Sequence, residues 1–350
     1  NLCKKLRVKI FDLHLKYRYN EAISDSTFNE ITGKVLIIMR KITIMNTDLE
    51  LSPMGMGCVN AGIKWDGEDA FRIFDAFLDM GGTVYDTARV YSDWIPSEIG
   101  RSERVLGQWL RQSGKRHDIV LLSKGGHPDM TPSVPDMHAS RISAENMRKD
   151  LELSLTALGT DYIDIYFYHR DNEAIPAGEL IEIMEEFRKE GKIRYYACYN
   201  WSTARMKEGY RGFVANEALF NIGSASMRPL ADDTLAVMNQ EMQQYHVENP
   251  QNLAMPYMSV CSGFFHKLYA GGADAVRNSE YYTSENLKAA EGLHGLMEEY
   301  QISLTQAVLG YLTCRDFTCL PLYGPRNAED LREAMETFSI PFLKEYYPEV

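Results

Sequence analysis

The sequence predicts an α/β protein in which eight strand–helix units close into a (β/α)8 TIM barrel, with a β-hairpin before the barrel. Short apolar runs alternate with helical patterns from about residue 50 onward. The strands are apolar on both faces, as strands of a covered parallel sheet are. Eight such units with right-handed crossovers close most naturally into a barrel.

The units follow one another along the chain as strand, then helix. Strands are expected at 51–57, 83–86, 119–124, 162–169, 192–200, 213–221, 253–260 and 319–323. Helices are expected at 68–80, 102–112, 143–158, 178–191, 202–209, near 231–245, within 284–313 and at 327–338. Ser102 and Ser143 stand where an N-cap would accept a backbone hydrogen bond.

The region before the barrel is divided into two parts. Two β-prone runs around Asn46-Thr47-Asp48 predict a hairpin over residues 40–51. Residues 1–38 fit no barrel unit, and we interpret them as an extension, either a translated leader or a flexible arm; a basic docking arm is the alternative. The barrel domain is therefore placed at 39–338 and a C-terminal tail at 339–350.

Charge and composition restrict the possible partners. The net charge of −12 argues against nucleic acid or an anionic membrane as a partner of the barrel, although residues 1–40 hold eight basic residues against four acidic ones. No apolar run approaches the length of a membrane span. The six scattered cysteines form no CxxC pair, which is typical of reduced thiols, so we expect a cytoplasmic protein.

A doubly wound open sheet is the rival fold. That fold would have a glycine-rich phosphate turn after its first strand. The segment GMGCVNAG at 55–62 places Asn60 where the third glycine would stand. The barrel is therefore the preferred prediction.

Four polar residues occupy strand ends or the loop after one. Asp86 ends the second strand and Tyr91 lies in its loop, Lys124 ends the third strand, and His169 ends the fourth. Each alone has an ordinary explanation as a turn cap, a packed ring, a loop lysine or a core histidine. In a barrel the carboxyl ends of the strands surround one opening, so we expect these four side chains to meet.

Together these residues suit the reduction of a carbonyl group. A carbonyl that accepts hydride needs a proton on its oxygen, and an unperturbed tyrosine with a pKa of about 10 is a poor acid. The Lys124 ammonium is expected to make Tyr91 a readier donor, and Asp86 to keep that ammonium charged. His169 is expected to hydrogen-bond the carbonyl oxygen and orient it.

The stretches YDTARVY, LLSKGG, DYIDIYFYHRD and IRYYACYNW, in this order, resemble the aldo-keto reductase family over residues 40–338. The resemblance implies a (β/α)8 barrel and a nicotinamide coenzyme bound without a Rossmann domain. It also implies that Asp86, Tyr91, Lys124 and His169 are the catalytic set. The expected function is reduction of an aldehyde or ketone, with hydride from NAD(P)H and a proton from Tyr91.

The resemblance also implies residues that hold the nicotinamide. Asn200 matches the ligand of its carboxamide, with Tyr199 where the family usually has Ser. Glu217 stands where Gln is common; a carboxylate accepts from the carboxamide NH2 but cannot donate. Tyr257 matches the ring that stacks on the nicotinamide, and Met258 replaces the Ser that usually follows.

The segment LPLYGPRNAEDLREAM resembles the loop and helix that hold the adenosine 2′-phosphate in the family. Gly324, Arg326 and Asn327 are suitably placed for an anion at a helix N-terminus. Asp330 stands where many members have a basic or amide residue, and Ala334 where they have Asn. NADP is the expected coenzyme and NAD is the alternative; an ordinary capped helix is compatible with either.

The substrate is expected to be a small molecule with a carbonyl group. Residues 125–143 form a long loop that we interpret as a lid over the opening. Trp94, His127, Arg170 and Asp171 are expected to border the pocket. Polar groups beside an aromatic wall favour a sugar or another polyhydroxylated carbonyl compound. The sequence leaves the oligomeric state open.

Two alternatives belong to other classes. The first is a non-catalytic coenzyme-binding or regulatory subunit on the same barrel, which an intact catalytic set argues against. The second is a metal-dependent barrel hydrolase. It would need ligands at several strand ends, and no second His follows such a strand. The spacing of four candidate ligands in the 125–143 loop fits no standard metal pattern, so no metal site is predicted: His127, Asp129, Asp136 and His138.

Overall fold

The computed structural model describes residues 41–209 and 212–347. The prediction for residues 1–38 therefore lies outside the described residues. The strands are β1 Ile42–Thr43, β2 Glu50–Leu51, β3 Gly55–Gly57, β4 Val84–Asp86, β5 Val120–Gly125, β6 Ile163–Tyr168, β7 Ile193–Tyr199, β8 Ala215–Leu219, β9 Leu253–Tyr257 and β10 Leu322–Tyr323. Strands β3 to β10 form one parallel sheet of eight strands in the order β10-β3-β4-β5-β6-β7-β8-β9.

The sheet closes on itself between β10 and its two neighbours. Leu322 and Tyr323 pair with β3. A parallel bridge joins Ala254 to Cys319, where the Leu320 N–H donates to the Ala254 carbonyl at 2.9 Å. The (β/α)8 barrel predicted from the sequence is confirmed.

Helices follow the strands as the alternating pattern predicted. They are α1 Gly67–Asp79, α2 Arg101–Ser113, α3 Ala144–Leu158, α4 Ala177–Lys189, α5 Thr203–Glu208, α6 Gln240–Glu248, α7 Phe264–Gly271, α8 Ser284–Tyr300, α9 Leu304–Thr313 and α10 Ala328–Glu336. The helix expected near 231–245 is wrong in its first half. It begins only after Asn239, whose side chain accepts from the Met242 N–H, while Val237 bridges to Leu219.

The two predicted serine caps have different outcomes. Ser143 caps α3 by accepting from the Asn146 N–H at 3.2 Å, as predicted. Ser102 is not a cap, because α2 already begins at Arg101. The Ser102 hydroxyl is buried inside the first turn and donates to the Cys58 carbonyl at 2.7 Å, which joins α2 to the segment after β3.

The predicted hairpin is present and closes the amino-terminal end of the barrel. Ile42 pairs with Leu51 and Thr43 with Glu50, in antiparallel register. The strand expected over 51–57 is divided, since Leu51 belongs to the hairpin and the barrel strand starts at Gly55. Three hairpin side chains are buried against the barrel interior: Ile44, Leu49 and Leu51.

Alternation along β5 determines which residues reach the barrel interior. Val120 and Leu122 pack inside the barrel, whereas Leu121 packs against the helices. Because side chains alternate between the faces of a strand, Lys124 has the same orientation as Val120 and Leu122. The strand therefore delivers a lysine to the carboxyl end of an otherwise apolar interior.

We predict that Gly107→Ala destabilises the protein by about 2 kcal/mol or more, because no space exists for a methyl group. A Cβ on Gly107 would lie 2.2 Å from the Ala157 carbonyl oxygen, where α2 meets α3. Gly292→Ala is the matched control, since nothing lies within 4 Å of its Cβ position in α8. The control should be neutral or stabilising by up to about 1 kcal/mol. Urea unfolding measures both, and equal free energies of unfolding would contradict the prediction.

No helix within residues 41–209 and 212–347 is long and apolar enough to cross a membrane. The five cysteines in this part of the chain are free thiols.

Candidate active site

The structure brings the four polar residues at the strand ends together at one opening. The Lys124 ammonium contacts the Asp86 carboxylate and donates to the Tyr91 hydroxyl at 3.3 Å. It also donates to the Thr87 carbonyl at 3.1 Å. The rings of Tyr91 and His169 lie edge to face with their centroids 5.8 Å apart.

Strand register explains this convergence. Asp86 is the last residue of β4, and Lys124 pairs with Phe167 across β5 and β6. His169 follows β6 directly, and its N–H donates to the Gly125 carbonyl at 2.9 Å. Because parallel strands end at the same edge, three strand ends and one loop supply the site.

The electrostatics of the site keep Lys124 charged. Its side chain is fully buried, which opposes charge, but the neighbouring Asp86 carboxylate favours the ammonium, and the pKa of Lys124 is raised. Burial raises the pKa of Asp86, and the Lys124 charge offsets part of that effect. The two residues therefore form a buried ion pair inside the barrel.

Tyr91 does not behave as the sequence analysis expected. The Lys124 ammonium does lower its pKa, but burial has the larger effect and leaves the pKa above its ordinary value. The Tyr91 phenol therefore keeps its proton throughout the neutral pH range in the free protein. The lysine lowers the free energy needed to form a phenolate, but the phenol remains the populated form.

Two neutral histidines adjoin this group. Burial, followed by the nearby side chains of His127, Lys124 and Arg170, lowers the pKa of His169 well below its usual range. Burial and the Arg170 charge lower the pKa of His127 to about 4. The two rings are 4.7 Å apart. A neutral His169 offers an N–H donor without adding another positive charge.

The residues expected at the nicotinamide lie beside the same opening. The Asn200 side-chain oxygen accepts from the Tyr257 hydroxyl at 2.9 Å and from the Ala236 N–H at 3.0 Å. Its amide nitrogen, Nδ2, is buried without a partner among the described residues. Tyr199 stacks on Tyr257 with ring centroids 5.0 Å apart.

Glu217 points into the barrel. Its Oε2 lies 3.5 Å from the Lys124 ammonium, and no hydrogen-bond partner is found for it within the described residues. The Asn200 amide is a donor without a partner among the described residues, the Glu217 carboxyl oxygen accepts no hydrogen bond there, and Tyr257 is bonded to Asn200. A planar carboxamide offers the complementary acceptor and donor groups. These residues therefore fit a nicotinamide.

In the segment expected at the 2′-phosphate, the polar side chains form hydrogen bonds within the segment itself. Arg326 binds Asp330, with Nη2 to Oδ1 at 3.0 Å. Asn327 caps α10 by accepting from the Asp330 N–H at 2.9 Å. Gly324 lies beside the end of β3, where a Cβ would be 3.7 Å from the Gly57 carbonyl oxygen. The guanidinium expected to meet a phosphate is thus already paired with a carboxylate.

The four residues expected to contact the substrate differ in their exposure and in their ion pairs. Trp94 is 42% exposed, while His127 and Arg170 are buried beside His169. Arg170 donates to the Asp232 carboxylate at 3.0 Å. Asp171 instead receives two hydrogen bonds from the buried Arg205, at 2.9 and 3.0 Å, so its carboxylate is occupied by a structural ion pair.

A cavity of about 320 Å³ lies beside the site. It extends between the loop after β4, the loop at 125–143 and α3, and Lys124 and His127 are among its lining residues. Arg141 holds the 125–143 loop by donating to the His127 carbonyl at 2.9 Å and to Asp150. The loop interpreted as a lid thus forms one wall of this cavity.

Two features of the site were not predicted from the sequence. Asp232 lies in the segment after β8 and no sequence pattern marked it. The contact of Glu217 with Lys124 depends on the two strands facing each other across the barrel, which sequence spacing does not show. In the part of the chain that the structure describes, no group of three or more His, Cys, Asp or Glu side chains could hold a metal ion.

The fold and this site define a (β/α)8-barrel protein with a charged, partly enclosed site at the carboxyl ends of its strands. A profile of the aldo/keto reductase family matches residues 53–350. The chain therefore belongs to the aldo/keto reductase family, as its sequence motifs indicated. It is an NAD(P)H-dependent oxidoreductase.

Similar proteins come from bacteria and fungi. An uncharacterised oxidoreductase of Bacillus subtilis, YrpG, is 25% identical over 85% of this chain and 91% of its own. The NADH-specific methylglyoxal reductase of Escherichia coli is 26% identical, covering 86% of this chain and 94% of its own. An NADP-dependent aryl-alcohol dehydrogenase of Phanerodontia chrysosporium is 24% identical, covering 83% and 80%.

Proposed function

We propose that this protein reduces a small polar carbonyl compound, such as a sugar or another polyhydroxylated aldehyde or ketone, with Tyr91 as the proton donor. The observation that carries this proposal is the 3.3 Å contact between the Lys124 ammonium and the Tyr91 hydroxyl in a buried setting. A phenol held against a fixed cation can release its proton to a developing alkoxide at a lower cost.

The nicotinamide coenzyme supplies the hydride when it is bound, and Asn200, Glu217 and Tyr257 would hold its ring. Tyr91 gives its proton to the carbonyl oxygen as negative charge develops there. Lys124 stabilises the resulting phenolate, and Asp86 holds the lysine in place. His169 donates a hydrogen bond to the carbonyl oxygen and orients it.

Polar groups at the opening support a hydroxylated substrate. Arg170 is buried at the rim, and its Nε has no partner among the described residues. His127 lies next to it and is neutral at physiological pH. Such groups favour binding of a ligand with several hydroxyl oxygens, because a buried donor without a hydrogen-bond partner costs free energy. The methylglyoxal reductase and aryl-alcohol dehydrogenase among the relatives are named for other small carbonyl compounds and alcohols.

A panel of sugars, aldehydes and ketones tests the proposal, with coenzyme oxidation followed by absorbance. Turnover should be higher with hydroxylated carbonyl compounds than with apolar ones of equal size. Higher turnover of apolar aldehydes would overturn the substrate class. Coenzyme binding without turnover of any carbonyl compound or alcohol would favour the non-catalytic alternative.

We further propose that NADH is preferred over NADPH, in place of the NADP preference expected from the family resemblance. Asp330 already pairs with Arg326, and an acid at this place repels a 2′-phosphate. Asp330→Asn is predicted to tighten NADPH binding by about fivefold to tenfold, since it frees the guanidinium for a charge-assisted bond. NADH affinity should change less than about twofold.

Coenzyme titration by protein fluorescence measures this effect. Glu329→Gln is the matched control, because Glu329 is an exposed acid of the same first helical turn and does not pair with Arg326. The control should leave the preference between NADH and NADPH unchanged. An equal gain in NADPH affinity for both variants would show that only overall charge matters.

A further inference from the structure

Two carboxyl groups share one ammonium inside the barrel. Asp86 contacts Lys124 directly. Glu217, which belongs to β8, lies 3.5 Å from the same ammonium. Both carboxyl groups and the lysine are buried, with at most 2% of each residue exposed. With both carboxyl groups ionised, this enclosed group would carry a net negative charge, which is costly in a low-dielectric interior.

Within the described part of the chain, Lys124 is the cation that acts on Glu217. The ionisable groups that act on it or feel its charge are Asp86 from β4, Tyr91 from the following loop, Lys124 from β5, Tyr199 from β7 and Tyr257 from β9. Burial, and then the negative charge of Asp86, raise the pKa of Glu217 well above its ordinary value. Because Asp86 already neutralises the Lys124 ammonium, a proton on Glu217 would leave this buried group without net charge.

Glu217 also adjoins the place where the coenzyme ring fits. The Asn200 N–H donates to the Glu217 carbonyl at 2.9 Å, and the Asn200 side-chain oxygen accepts from the Tyr257 hydroxyl at 2.9 Å. A protonated Glu217 can both donate and accept, so it can replace a neutral amide toward a carboxamide. The step that follows rests on the function proposed above.

The nicotinamide ring is positively charged when oxidised and neutral when reduced. We propose that Glu217 responds to this charge: it is ionised beside the oxidised ring and protonated beside the reduced ring. The oxidised coenzyme would then bind with loss of the Glu217 proton to solvent, and the resulting carboxylate would balance the positive ring. The reduced coenzyme would bind without proton exchange.

This linkage makes the coenzyme preference depend on pH. Because binding of the oxidised form releases a proton, its affinity rises with pH, by up to about tenfold per pH unit while free Glu217 stays protonated. The affinity for the reduced form stays constant over the same range. NAD+ binding is therefore favoured as the pH rises. When the bound alcohol is oxidised, the proton that it loses returns to Glu217, so the complete reaction still releases one proton.

Isothermal titration calorimetry on the full chain tests the linkage at neutral pH. Titrations in two buffers with different ionisation enthalpies give the number of protons released with NAD+ and with NADH. The wild-type protein should release about one proton with NAD+ and none with NADH. Comparing the two forms of one coenzyme cancels any titration of the phosphates.

Two variants locate the source of the proton. Glu217→Gln should release no proton with either form and should bind NAD+ with an affinity independent of pH. Glu103→Gln is the matched control. Glu103 is another fully buried acid, whose pKa burial raises to about 7, but it bonds Ser123 at 2.6 Å on the outer face of β5. This control should release the same proton as the wild-type protein.

The outcomes separate this inference from the proposed function. Binding of both forms with equal proton release, or with the same release in wild type and Glu217→Gln, would overturn the role of Glu217 and leave the proposed function standing. Absence of binding by either coenzyme would overturn both. If Glu217→Gln does not fold, equal proton release with NAD+ and NADH in the wild-type protein still overturns the inference.

Discussion

Tyr91→Phe is expected to lower the rate of carbonyl reduction by about two to four orders of magnitude while coenzyme affinity stays unchanged. The substitution removes the proposed proton donor and keeps the ring. Lys124 loses one acceptor at 3.3 Å but retains the Asp86 carboxylate and the Thr87 carbonyl. The loss should therefore appear in kcat, because the hydroxyl acts in the transition state and not in coenzyme binding.

Single-turnover kinetics and a coenzyme titration measure the two quantities separately. Tyr195→Phe is the control, since the Tyr195 hydroxyl lies at the other end of β7, where it bonds Asp48 at 2.9 Å. That variant should reduce the substrate at the wild-type rate. Turnover of Tyr91→Phe within tenfold of wild type would show that another group delivers the proton.

Lys124→Met is expected to destabilise the protein by about 3–5 kcal/mol, because it leaves the buried Asp86 and Glu217 carboxyl groups without a cation. Two buried carboxyls without a cation hold their protons more tightly in the folded state than in the unfolded state. Stability then falls as pH rises above the unfolded-state pKa, so the deficit should be larger at about pH 8 than at about pH 5.

Urea unfolding at the two pH values measures this deficit. Lys207→Met is the matched control, because Lys207 pairs with Glu241 at the surface at 3.0 Å. Its effect should stay below about 1 kcal/mol. Adding Asp86→Asn to Lys124→Met should recover part of the stability, since it removes one stranded charge. A pH-independent deficit would contradict the electrostatic explanation.

The barrel and the meeting of the four polar residues could be predicted from the sequence, because the end of a strand can be recognised from a short stretch of residues. Asp86 and Lys124 each end an apolar run, His169 follows one directly, and closing the barrel brings them together. The division of 51–57 was missed because a buried serine turn, in which the Ser52 hydroxyl accepts from the Thr83 N–H at 2.9 Å, interrupts an apolar run without changing its composition.

Pairs of side chains far apart in sequence could not be predicted. Asp171 was expected at the substrate, yet it lies against Arg205, and nothing in the local sequence marks that partner. The effect of burial on Tyr91 also escaped prediction. A sequence shows that a lysine is available, but only the enclosure of the phenol decides whether desolvation or the ammonium has the larger effect on its pKa.

The two-residue strand β10 is held in the barrel by few hydrogen bonds, so the barrel should open readily near this strand. It pairs with β3 at two positions and reaches β9 through one bridge. Opening there breaks fewer hydrogen bonds than opening between β6 and β7, so amide hydrogen exchange should be faster along this join than between those two strands. Gly324 and Arg326 lie just after β10. A coenzyme bound to them would slow that exchange, because it would stabilise the pairing of β10 with β3.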